Sequence, residues 1–170
     1  MKGVWVLCAV GVVQVFLLAS IAHAAGTSFF DDFLTFDGSR WKKEDHMLGR
    51  SYLDPANIDV VEGNARFKIP ARTLEGAEFR SNELYYHGAY ATRMKLPHAP
   101  TSITGFFIFR PPDYAREIDI EIYNDSSRRI MFTTYSKGRQ THTITKQLPF
   151  DPTAGYHTYS GTHKDRSFGL

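Results

Sequence analysis

Residues 116–123 read Arg116-Glu117-Ile118-Asp119-Ile120-Glu121-Ile122-Tyr123. Three acids alternate with three isoleucines. In a strand, residues two apart share a face, so Glu117, Asp119 and Glu121 line one side and the isoleucines line the other. A helix would scatter both sets. The stretch therefore predicts a strand with one apolar face turned to a core and one acidic face turned to water or to a ligand.

The same period-2 pattern recurs on both sides of this stretch. Alternating runs over 57–61, 64–69, 77–82, 86–96, 103–110, 129–135 and 141–147 read as further strands. Glu62-Gly63-Asn64 separates the first two as a tight turn. Pro97, Pro100, Pro111 and Pro112 fall between strands, where a missing N–H does no harm. Eight or so strands at this spacing predict an all-β fold, a curved antiparallel β-sandwich of jelly-roll type. Phe106, Ile108, Ile118, Ile120, Ile122, Met131 and Phe132 are the apolar residues expected to contribute to its core.

The chain has 170 residues and a formal net charge of +2. It lacks the basic field that nucleic-acid binding needs. The first 24 residues read as a secretory signal peptide: Lys2, an apolar run from Val4 to Ile21, then the small-x-small site Ala22-His23-Ala24. The alternative is an uncleaved membrane anchor. Cleavage leaves residues 25–170 as one domain with no cysteine, since Cys8 lies in the leader. An exported chain without disulfides rests on its core alone. A secreted monomer, with no membrane partner after cleavage, is the expectation.

The acidic face has the spacing for chemistry. At about 3.3 Å per residue, Glu117 and Glu121 have Cα atoms roughly 13 Å apart. Side chains leaning together bring their carboxyls to about 5–6 Å, the range that retaining glycosidases use. Asp119 lies between them. Crowding three acids raises at least one pKa, as a general acid at neutral pH requires. A solvated acidic strand is the plainer alternative. Glu78 and Arg80 share a face of the strand predicted over 77–82 and suit hydrogen bonds to sugar hydroxyls. Tyr90, Phe107, Tyr123 and Tyr135 offer stacking surfaces. His142, His157 and His163 lie far apart, and no metal-ligand cluster is visible.

The motif Glu117-Ile118-Asp119-Ile120-Glu121 resembles the active-site strand of glycoside hydrolase family 16, in its lichenase (β-1,3-1,4-glucanase) and xyloglucan-transferase branch. Phe29-Phe30-Asp31-Asp32-Phe33 with Trp41, the segment 77–81, the segment 86–95 and the segment 150–159 are similar to further family segments in the same order. The resemblance implies a concanavalin A-like jelly roll with a polysaccharide in a cleft on its concave sheet. It implies Glu117 as nucleophile, Glu121 as acid/base and Asp119 as mediator, with Glu78, Arg80 and Tyr135 in substrate subsites. No cofactor is required, although full-length relatives can carry a structural calcium. Ala115 stands where lichenases usually have Trp, and Thr133 where they have Asn. The tail 160–170 shows no β alternation and no Trp, so the C-terminal end of the fold is expected to be incomplete, as in a truncated or frameshifted member. Two other readings are a carbohydrate-binding or inactive chain on the same fold, and an enzyme acting on xyloglucan.

Overall fold

The computed structural model describes residues 5–6, 28–85, 87–112 and 114–164. Most of the leader read over 1–24, Tyr86 and the final stretch 165–170 lie outside the described residues. The strands are β1 (Trp5–Val6), β2 (Trp41–Lys43), β3 (His46–Leu48), β4 (Ser51–Leu53), β5 (Ile58–Val61), β6 (Asn64–Phe67) and β7 (Glu75–Gly76). There follow β8 (Phe79–Ser81), β9 (Gly88–Met94), β10 (Ile103–Arg110), β11 (Arg116–Tyr123), β12 (Arg129–Ser136), β13 (Arg139–Gln147) and β14 (His157–His163). One short helical turn, Pro55–Asn57, is capped by Asp54, whose carboxylate accepts the Ala56 N–H. Among the described residues, no helix is long and apolar enough to cross a membrane.

The largest sheet runs β1-β10-β11-β12-β13, antiparallel throughout. Smaller sheets pair β14 with β9, β2 with β8, and β5 with β6. A fourth small sheet runs β3-β4-β7, in which β4 and β7 are parallel. The all-β expectation is met. The β5–β6 loop, Glu62-Gly63, has both φ values positive, at 52° and 67°. That is the mirror-image two-residue turn whose twist suits a hairpin. The non-glycine at its first position is tied down: Asn64 Nδ2 donates to the Glu62 carbonyl at 2.8 Å.

Two apolar clusters hold the sheets. One joins Phe106, Ile120, Ile122 and Ile130 of the large sheet to Met94 of β9 and Tyr159 of β14. This places the isoleucine face of β11 over the β9–β14 pair, as the alternation predicts. The other gathers Phe33, Trp41, Ile58, Ala65 and Phe79, with Phe107 against it. Trp41 is fixed there by a hydrogen bond from its indole N–H to Asp31 Oδ2 at 2.7 Å. At the far end of β11, buried Asn124 donates to Ser102 Oγ and accepts from Thr104 Oγ1, both at 2.8 Å. A buried amide satisfied in this way fixes the end of the β10–β11 pair.

Three expectations change. Ile118 and Phe132 are not core residues; they are 39% and 40% exposed. Burial of a strand face depends on what covers it, and the β9–β14 pair covers only the end holding Ile120 and Ile122. Met131 cannot share that face with Phe132, because neighbours on a strand alternate. It pairs with Glu121 on the acidic side. Residues 157–163 form a strand despite their polar sequence. Its alternation is one of burial, with Tyr159 inward and Ser160 and Thr162 outward, so hydropathy alone concealed it.

Candidate active site

The acids of β11 stand in a register that gives each one different neighbours. Glu117 lies between Phe109 and Tyr135, Asp119 between Phe107 and Thr133, and Glu121 between Gly105 and Met131. Gly105 has no side chain to crowd Glu121; a Cβ there would meet the Phe107 ring at 3.6 Å. The three acids line one cleft of about 1040 Å³ together with Glu78, Arg80 and Tyr135.

The carboxyls are not equivalent. Asp119 is buried, while Glu117 and Glu121 are half-buried. Burial pushes the Asp119 carboxyl up to about 8, and the charges of Glu117 and Glu121 and a hydrogen bond with Glu117 add to the rise. At neutral pH Asp119 therefore keeps its proton and donates it in that bond. Glu121 is also raised above the ordinary carboxylate value, first by burial and then by the Glu117 charge. Glu117 accepts a second hydrogen bond, from the Tyr114 backbone N–H to Oε2 at 2.9 Å. The result is Glu117 held as an acceptor, beside two acids whose pKa values burial and neighbouring charge raise.

Glu78 and Arg80 reach the cleft from the β8 side. β2 pairs with β8 so that Lys42 faces Arg80, and the ladder continues with the Glu44 N–H donating to the Glu78 carbonyl at 2.9 Å. This sets like charges opposite each other, Lys42 against Arg80 and Glu44 against Glu78. Such pairs are unfavourable when isolated. The diagonal resolves them: the Glu44 carboxylate, 4% exposed, forms an ion pair with Arg80. Lys42 lies 3.5 Å from its other oxygen and His46 3.9 Å.

Two of the aromatic expectations are placed elsewhere. Tyr90 packs against the Met94–Tyr159 cluster, where burial pushes its hydroxyl up to about 12. Tyr123 lies beneath the Arg129 guanidinium, 3.9 Å from its ring centroid. Neither lines the cleft. Tyr135 does, and burial raises its hydroxyl, with the nearby acids adding to the rise. Two residues at the site were not singled out from sequence, Tyr114 and Glu44. The first depends on a turn and the second on a long-range pairing, and neither leaves a periodic signal. Among the described residues, no grouping of three or more His, Cys, Asp or Glu is arranged to hold a metal.

The fold is a jelly-roll-like stack of sheets, antiparallel except where β4 meets β7, with a carboxylate-lined cleft, and the comparisons with known proteins supply its class. The model of the glycosyl hydrolases family 16 matches residues 50–166, and the chain belongs to that family. It is 28% identical over 158 residues to a β-glucanase of Paenibacillus macerans, covering 85% of this chain and 65% of the relative. It is 28% identical over 173 residues to a β-glucanase of Bacillus subtilis, covering 94% of this chain and 72% of the relative. Among solved structures, a Bacillus licheniformis β-glucanase superimposes with a TM-score of 0.71 at 26% identity, covering 81% of this chain and 69% of that one. The chain thus spans about two thirds of the length of the relatives it matches.

Proposed function

We propose that this chain is a secreted endo-β-glucanase that cleaves its polysaccharide with retention of configuration. The observation that carries the proposal is three in-line acids of one strand lining a single cleft, with Glu117 Oε2 held by the Tyr114 N–H; burial and mutual charge, which raise Asp119 and Glu121, agree with it. Glu117 attacks the anomeric carbon as the glycosidic C–O bond breaks, and Glu121 gives its proton to the departing oxygen. Water then attacks the same carbon, Glu121 takes a proton from it, and the bond to Glu117 breaks, restoring both groups. Asp119, protonated between them, donates to Glu117 and orients it. Glu78, Arg80 and Tyr135 bind the chain of sugars. The β-glucanase relatives and the family support a β-glucan substrate; the resemblance of the 117–121 motif to the lichenase branch makes lichenan, a mixed-linkage β-glucan, the leading one, with xyloglucan as the alternative.

The test is an assay of the purified protein on a panel of β-glucans, with the anomer of the first product followed by proton NMR. Release of the β-anomer from lichenan, lost in Glu117→Gln, is the expected result. The α-anomer as first product would remove the retaining mechanism. A second reading, sugar binding without turnover, draws on the exposed row Ile118, Phe132 and Ile144 behind the catalytic strands. On that reading, a sheet so lightly backed holds its acids too loosely for turnover. Binding that persists unchanged in Glu121→Gln, with no turnover by the parent protein, would favour that reading.

A further inference from the structure

The turn between β10 and β11 carries Tyr114, whose φ is +61°. A bulky side chain rarely occupies this left-handed region, and it persists there only where its surroundings hold it. Here they hold it from both sides. The Tyr114 N–H donates to Glu117 Oε2 at 2.9 Å, and its carbonyl accepts from the Gly138 N–H of the β12–β13 turn at 2.9 Å. Its neighbour Ala115 is tied in the same way, accepting from the Lys137 N–H at 2.9 Å. The strained backbone aims the ring into the cleft, where it meets the Tyr135 ring with centroids 4.8 Å apart and planes at 47°. Tyr114 is nevertheless 42% exposed. Packing needs no such conformation, since a ring that is nearly half exposed gains little from burial.

Two tilted phenol rings beside a carboxylate form an apolar corner with polar tips. Tyrosine combines a flat apolar body with a hydroxyl that stays wet. A pyranose has the matching surface, apolar C–H faces ringed by hydroxyls. We propose that Tyr114 is a substrate-contacting residue that stacks on a glucosyl unit at the Glu117 end of the cleft, with Tyr135 as the second wall of that subsite. This rests on the reading of the cleft as a β-glucan site. Because one peptide unit carries both the ring and the N–H bonded to Glu117, a sugar seated on the ring is registered against the nucleophile.

The test uses the full chain. Tyr114→Gly removes the ring, yet glycine accepts the positive φ and keeps the N–H to Glu117. The expected result is a KM for lichenan raised about tenfold, a kcat changed less than threefold and an unaltered pH profile. Tyr114→Phe should restore most of the lost affinity. If Tyr114→Gly does not fold, Tyr114→Asn, which also tolerates this φ, takes its place. An unchanged KM overturns the proposal. Calorimetric titration with cellotetraose separates this result from failure of the hydrolase reading. Where the parent protein turns over no glucan but binds the tetrasaccharide, an approximately tenfold weaker binding in the glycine variant upholds the stacking subsite. Equal binding in the two proteins, or none by the parent, overturns it.

Discussion

The two faces of β11 come from the same eight residues and end in different states. On one face Glu117, Asp119 and Glu121 are each placed by their β10 and β12 neighbours, and the Tyr114 amide and Asp119 bond Glu117. On the other, exposure climbs from Ile122 at 0% through Ile120 at 9% to Ile118 at 39%. The next apolar row continues the trend, with Phe132 at 40% and Ile144 at 41%. The acidic face is assembled largely from one hairpin and the strand after it, so local register completes it. The apolar face needs cover from β9, β14 and the loops, and that cover reaches only one end. Chemistry at this site is thus specified more locally than its support.

The largest effect should come from breaking the acidic face. Glu121→Gln removes the proposed proton donor, and a general acid typically contributes 10²–10⁴-fold. We expect kcat/KM on lichenan to fall by about that factor, with smaller losses on substrates whose leaving group needs no protonation. A uniform loss across leaving groups would mean that Glu121 is not the acid.

The apolar face is tested by a pair of truncations. Ile122→Ala should cost about 2–5 kcal/mol in urea unfolding, the range for a buried aliphatic side chain. Ile118→Ala should cost less than about 1 kcal/mol, because its site is already open to water. Equal costs would mean that the Ile118 end is covered in solution.

Next in size is the charge lattice behind the cleft. Glu44→Gln leaves Arg80 without its diagonal partner and opposite Lys42, and should cost about 1–3 kcal/mol. It should also raise KM more than it lowers kcat. A KM that does not move would restrict Glu44 to stability.

The last test is a pH dependence. The folded pKa of Asp119, about 8, lies above its ordinary value of 3.8. The folded state therefore binds the proton more tightly than the unfolded chain does. The resulting stability is fully present below 3.8 and is lost as pH rises through about 8. Asp119→Asn should flatten thermal stability across that window, most visibly by a smaller drop in Tm between pH 5 and pH 8. A slope equal to that of the parent would assign the pH dependence to other groups.

How much of this could be read from sequence follows the same division. The bounds of β10 and β11 match the alternating runs, because a strand buried on one face carries a strong period-2 signal. β2, β3, β4 and β7 have two or three residues each, too few for a period to show. β14 pairs through its backbone while presenting Ser, Gly and Thr, so hydropathy said little. The acid triple, Glu78, Arg80 and Tyr135 were legible because shared faces bring them to one cleft. Tyr90 and Tyr123 were not distinguishable from cleft aromatics, since an aromatic in a strand looks the same whether it meets a core or a ligand. Tyr114 depends on a positive φ, and Glu44 on a pairing with residues more than thirty positions away.

The central claim, that Glu117 is the nucleophile, is tested most directly by trapping the glycosyl-enzyme. A 2-deoxy-2-fluoro-β-glucosyl oligosaccharide with a good leaving group should accumulate as a covalent adduct, to be located by peptide mass spectrometry. The account predicts one glycosyl unit on Glu117, absent from Glu117→Gln. An adduct on Asp119 or Glu121, or hydrolysis of unfluorinated substrate by Glu117→Gln at the parent rate, would contradict it.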